Sequence, residues 1–238
     1  MINGKRILAI IPARGGSKRL PSKNIKLLGD RPLIAWTIEF ALKQKEIDEV
    51  LVSTDSKEIA GVALEFGAQV PWLRPSVYSS DVATSSTVVR HALEELMKLN
   101  KYFDYLVLLQ PTTPFRESKI FREAILLCES SNGAPVVGFC AAKTHPYWVF
   151  KKCGDKAGIE PYFQGATNLT RSQDLPAAYE VSGSIYVMGV SQFLAENTFI
   201  TKDMKAVFSN DRHYDCDIDD EIDWLFAEAL LNKMQHSV

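Results

Sequence analysis

The 238-residue chain is short of cysteine, histidine and net charge, and each shortage excludes a class of protein. Its four cysteines, Cys128, Cys140, Cys153 and Cys216, form no CxxC pair, and the four histidines are scattered. That spacing argues against a zinc site and against a disulfide framework, and reads as reduced thiols of a cytoplasmic protein. With 27 Lys+Arg against 29 Asp+Glu, the net charge of −2 leaves no basic surplus for a general nucleic-acid or membrane-surface binder. No apolar run approaches the roughly 18 residues of a membrane span. Met1 to Arg6 places charge ahead of a short strand-like run, unlike a secretory leader. Internal repeats and low-complexity tracts are missing. So are the GxGxxG fingerprint and the P-loop spacing, which excludes a nicotinamide oxidoreductase.

What is present is an ordinary globular composition, 46% hydrophobic and 24% charged. A chain of this mass buries about 70% of its unfolded surface, enough for one core without staples. The run Ile7-Leu8-Ala9-Ile10-Ile11 predicts a strand buried on both faces. Helical periodicity follows over 32–44, then strand 49–54, helix 56–66 and a short strand over 69–73. Thr84-Ser85-Ser86 open a helix to about 99 as good capping residues. Strand 105–109, helix 117–129 and a strand over 136–140 continue the alternation, which predicts an α/β fold on a mainly parallel sheet. Residues 151–178 mix glycine, proline and polar residues and read as an inserted lobe. Strand 183–188, a short helix near 191–196 and a helix over 219–234 complete the pattern. That last helix carries Ile222, Leu225, Phe226, Ala229 and Leu230 on one face. Trp36, Trp72 and Trp224 belong to the core or its edges.

The small total charge conceals two opposite poles. Lys5 to Lys26 contains seven basic residues and no acidic one, whereas Asp211 to Asp223 contains seven acidic residues and one arginine. The basic segment follows the first strand, where open α/β sheets bind ligands. Gly15 and Gly16 let the backbone approach an anion, and Arg14, Lys18, Arg19 and Lys23 supply charge for several phosphates. A solvated face is the alternative. In the acidic segment, alternate residues of an extended chain share a side, so Asp217 and Asp219 converge just before the last helix. Two readings stand: Asp219 caps that helix, or both carboxylates serve a magnesium ion together with phosphate oxygens.

Together these segments resemble the CMP-sialic acid synthetase family, cytidylyltransferases that activate nine-carbon 2-keto sugar acids. The resemblance spans essentially the whole chain. It rests on Ile11-Pro12-Ala13-Arg14-Gly15-Gly16-Ser17-Lys18-Arg19-Leu20-Pro21 with Lys23-Asn24, on Leu73-Arg74-Pro75, and on Ser80-Asp81 with Ala83-Thr84-Ser85. Further along come Leu109-Gln110-Pro111-Thr112-Thr113-Pro114-Phe115-Arg116, Arg171 to Pro176, Gly183-Ser184-Ile185-Tyr186 and Asp217-Ile218-Asp219. It implies a Rossmann-like three-layer nucleotidyltransferase fold, one domain over 1–238 with an inserted dimerisation lobe at about 141–178. It also implies CTP and a nonulosonic acid as substrates, Mg²⁺ as cofactor, and a homodimer whose lobes reach the partner's active site.

Carried over by position, Arg14, Gly15, Gly16, Ser17, Lys18 and Lys23 meet the triphosphate, while Asn24, Arg74, Ala83 and Ser85 hold the cytidine. Gln110, Thr112, Tyr179 and the partner's Arg171 line the sugar pocket. Asp217 and Asp219 hold the metal, and Lys23, Arg14, Asp217 and Asp219 are the catalytic candidates. Two positions depart from the family pattern. Trp148 stands where many relatives have lysine after a His-Pro pair, and Ser182 where many have asparagine.

Overall fold

The computed structural model describes residues 2–80, 82–154, 158–163, 171–209 and 211–236. Asp81 lies outside them, as do residues 155–157 and 164–170 of the expected lobe. β1 (Ile7–Pro12) sends Ile7, Ala9 and Ile11 to one face and Leu8 and Ile10 to the other, all fully buried. A buried strand of this kind needs a layer on each side. The first layer consists of α1 (Leu33–Lys43), α2 (Lys57–Glu65) and α4 (Ser118–Ser130), through Ile34, Ile38, Ile59, Phe121 and Ile125. The second is α3 (Ser85–Lys98), with Phe193 of α5 (Val190–Glu196) beside it. Helices on both sides of one sheet give the α/β sandwich expected.

Between these layers lies a six-stranded sheet. It joins β1 to β4 (Glu49–Ser53), β5 (Tyr105–Leu108), β6 (Val136–Ala141), β9 (Tyr179–Gly189) and β10 (Lys205–Phe208), in the order β10-β6-β9-β5-β1-β4. β1 pairs in parallel with β4 and β5, and β10 with β6, but β9 runs antiparallel between β5 and β6. The chain winds from β1 to β4 on one side and then crosses to β5 on the other. The sheet therefore has its switch point at β1, the place where a crevice opens outside the strand ends.

Small elements complete the fold. β2 (Leu27–Leu28) and β3 (Arg31–Pro32) form a tight hairpin, and β7 (Phe150–Cys153) pairs with β8 (Gly158–Pro161) inside the stretch expected to be irregular. The strand expected over 69–73 is reduced to a bridge between Gln69 and Leu51. Pro71, lacking an N–H, stops the ladder there. α6 (Glu221–His236) packs through Trp224, Ala227, Leu230 and Leu231 onto Leu28 and Leu33. Ile222, Leu225 and Phe226, expected on the same apolar stripe as Leu230, are exposed instead. No helix among the described residues is long and apolar enough to cross a membrane.

Candidate active site

A cleft of about 610 Å³ opens at the carboxyl ends of β1 and β5, where the winding reverses. Arg14, Ser17, Lys18, Lys23, Asn24, Arg74, Ala83, Ser85, Gln110, Thr112, Asp217 and Asp219 all line it. Arg171 and Tyr179 do not.

The basic segment leaves β1 as a loop with several internal ties. The Gly15 N–H donates to Asp55 Oδ1 at 3.0 Å, and the Ser17 N–H donates to the Gly15 carbonyl at 3.2 Å. A Cβ on Gly15 would stand 3.1 Å from Ser56 Cβ, so the loop packs closely against the turn after β4. The buried Asn24 donates its amide to the Arg14 carbonyl at 3.0 Å, which fixes where Arg14 starts into the cleft. These bonds hold the loop's shape at the mouth of the cleft.

The acidic pole reaches the same cleft from the other end of the chain. The buried Lys23 ammonium donates to the Ile218 carbonyl at 2.5 Å and to Asp219 Oδ1 at 3.4 Å, across 196 positions of sequence. Arg19 pairs with the other oxygen of Asp219 at 2.8 Å. The start of α6 shows whether Asp219 is needed as its cap. Asp220 Oδ1 accepts from the N–H groups of Ile222 and Asp223, and Asp223 Oδ2 accepts from those of Asp219 and Asp220. This reciprocal capping box satisfies the helix start without the Asp219 carboxylate.

Asp217 opens onto the cleft, yet the protein around it removes enough water to push its carboxyl pKa up. The charge of Asp219 adds to the rise, while the Thr112 hydroxyl and Lys23 oppose it. Two carboxylates that repel beside a basic loop suit a hard divalent ion held partly by anionic oxygens of a ligand and water. Among the described residues no cluster of three or more metal-ligating side chains occurs, so the protein would contribute only this pair.

On the opposite wall, Arg74 is buried and fully directed. It donates to Ser53 O at 2.9 Å and to Ser79 Oγ at 2.9 Å, and lies 3.9 Å from Asp55. Desolvation lowers its pKa, with Asp55 working against that shift. Thr84 caps α3 by accepting from the Thr87 N–H at 3.2 Å, which places Ser85 in the first turn facing the cleft. Gln110, two residues past β5, has its amide 3.5 Å from Ser85 Oγ. Thr112 is tied to the acidic pole: its carbonyl accepts from the Ile218 N–H at 2.8 Å and its hydroxyl bonds Asp217.

Tyr179 packs its ring against Phe208, centroids 4.7 Å apart and tilted by 58°, and is 53% exposed at the start of β9. Arg171 is likewise exposed and outside its own chain's cleft. An aromatic residue that senses Asp217 is Tyr186. Burial, and then the charge of Asp217, push its phenol up to about 12. Tyr186 stood in the Gly-Ser-Ile-Tyr motif, so a sequence signal for it existed. Asp55 had none, because it acts on a backbone N–H.

A family model described as cytidylyltransferase matches residues 8–203. The CMP-N,N'-diacetyllegionaminic acid synthase of Legionella pneumophila is 37% identical over 98% of this chain and 99% of that protein. The pseudaminic acid cytidylyltransferase of Campylobacter jejuni is also 37% identical, over 96% of this chain and 97% of that one. A solved structure of CMP:2-keto-3-deoxy-manno-octonic acid synthetase with CTP shares the fold. It has a TM-score of 0.69 and 16% identity, over 96% of this chain and 99% of that one.

Proposed function

The chain belongs to the cytidylyltransferase family and is a nucleotidyltransferase; from that premise we propose that it joins the cytidylyl group of CTP to a nine-carbon 2-keto sugar acid. The acid is of the legionaminic, pseudaminic or N-acetylneuraminic type, and pyrophosphate is the other product. The observation that carries this reading is the meeting of the two charge poles, Lys23 against Asp219 and the Ile218 carbonyl. A binding module has no need of two carboxylates set among lysines and arginines.

The chemistry follows from charge. The anomeric hydroxyl oxygen attacks the α-phosphorus while the bond to the bridging oxygen of pyrophosphate breaks in line. Both reactants are anions, so repulsion must be neutralised before they approach. Arg14, Lys18 and Lys23 take the triphosphate, and Arg74, Asn24, Ala83 and Ser85 frame the nucleoside. Gln110 and Thr112 lie on the acceptor side. Asp217 and Asp219 would hold Mg²⁺, which when bound supplies further positive charge to the phosphate oxygens. Asp217 is the candidate to help remove the hydroxyl proton, directly or through a bound water. Positioning and fixed charge do the rest.

Arg171 lies outside its own cleft, which supports a homodimer in which it serves the partner subunit. The deciding experiment is pyrophosphate release from CTP and Mg²⁺ with sialic, legionaminic, pseudaminic and eight-carbon keto-deoxy acids, with ATP, GTP and UTP as controls. Release with CTP and one nine-carbon acid is expected. Release only with the eight-carbon acid would change the acceptor, and absence of CTP binding would overturn the reading.

A further inference from the structure

Arg116 is a positive charge set more than nine-tenths inside the protein, directly behind Gln110. Among the described residues no carboxylate is in ion-pair contact with it. Its guanidinium instead donates to four neutral oxygens. Nε reaches the Ser184 carbonyl at 2.7 Å and Nη1 reaches Thr37 Oγ1 at 2.9 Å. Nη2 serves the Gln110 carbonyl at 2.5 Å and Thr113 Oγ1 at 3.0 Å. Burial pushes its pKa down to about 9 even though the charge of Asp217 works the other way, so the fold tolerates an unfavourable charge here. Neutral side chains of similar volume fill interiors without that cost.

What the guanidinium fastens is the turn at 110–113. The outer side of this turn carries both the Gln110 side chain and the seat of the acidic loop, through Thr112 to Ile218 and Asp217. Its inner side is tied to the bulge of β9, where Thr113 Oγ1 donates to the Gly183 carbonyl at 3.2 Å. Gly183 has φ +74, and a Cβ there would lie 3.1 Å from Gln110 Oε1. Only a planar fork of donors spans Ser184, Gln110 and Thr113 at once; an ammonium cannot.

We propose that Arg116 is a positioning residue for the acceptor half of the reaction. It sets Gln110 on the sugar-facing side of the turn that follows β5. The proposal rests on Gln110 facing the sugar acid.

The test compares Arg116→Lys, Arg116→Met, Gln110→Ala and the Arg116→Lys/Gln110→Ala double variant, with thermal melts recorded for each. Arg116→Met removes the buried charge at similar volume, so a folded variant is available should the lysine form fail. Losing charge-assisted hydrogen bonds should raise the sugar-acid KM at least about 10-fold while the CTP KM stays within about twofold. The effect of Arg116→Lys should largely vanish in the Gln110→Ala background, since one residue acts through the other. Equal losses for both substrates, or fully additive effects, would reduce Arg116 to a structural part and overturn the proposal. An unchanged sugar-acid KM in Gln110→Ala would overturn the acceptor role of Gln110 and this proposal with it. CTP-dependent pyrophosphate release would persist, so that failure is distinct from failure of the cytidylyl reading.

Discussion

Asp217 sits where its ionised form is least comfortable, with water partly excluded and a second carboxylate close by. Its carboxyl therefore titrates above the unfolded-chain value of about 3.9. A carboxyl raised in this way favours the folded state while protonated. That contribution is complete below the unfolded value and lost as pH rises through the folded one. Asp217→Asn should consequently raise the thermal midpoint of the ligand-free protein near pH 7, with the gain disappearing towards pH 3. The same variant should lose at least about 10²-fold in turnover, the scale of one missing charge-stabilising group. Melts across that pH range, paired with pyrophosphate release, check both halves. A variant no more stable than the parent at pH 7 would contradict the electrostatic account. At this scale the sequence was legible wherever charge clustered: Lys23, Asp217 and Asp219 could be read from their neighbours. Asp55 could not, because its partner is a backbone N–H whose direction depends on the fold.

Elements were legible in proportion to their periodicity. α1, α3 and α4 announce themselves through recurring apolar residues and, for α3, the cap at Thr84. The antiparallel course of β9 carries no local signature, since a buried strand reads alike in either direction. β10 is only four residues long and β7–β8 lies in glycine-rich sequence, so both were lost among turns. The bulge in β9 is where element and site meet, for Gly183 adopts φ +74 beneath Gln110. An alanine there enters the left-handed region at about 1–2 kcal/mol. It would also press its Cβ on the Gln110 side chain. Gly183→Ala should lower stability by that amount in urea titration and weaken sugar-acid use more than CTP use. Equal weakening of both would place the bulge outside the acceptor pocket.

For the molecule as a whole, the question is whether one chain holds a complete site. Every group assigned to CTP lies within or beside the cleft of a single chain, whereas Arg171 is exposed elsewhere. If Arg171 serves the partner, mixing Arg171→Ala and Asp217→Asn chains pairs an intact cleft with an intact lobe in each mixed dimer. Random mixing of two weakened parents should then restore about a quarter of wild-type turnover, because half the dimers are mixed and each regains one site. No recovery above the parents, with mixed dimers present by mass spectrometry, would confine Arg171 to its own subunit. One consequence concerns the order in which the chain is made. Lys23 leaves the ribosome 196 residues before Asp219, a delay on the order of 10–40 s at ordinary elongation rates. Leu20, Leu28 and Leu33 wait equally long for Trp224 and Leu231 to cover them. The basic loop is thus made long before the segment that secures it, and Arg19 and Lys23 wait for their shared carboxylate until Asp219 emerges.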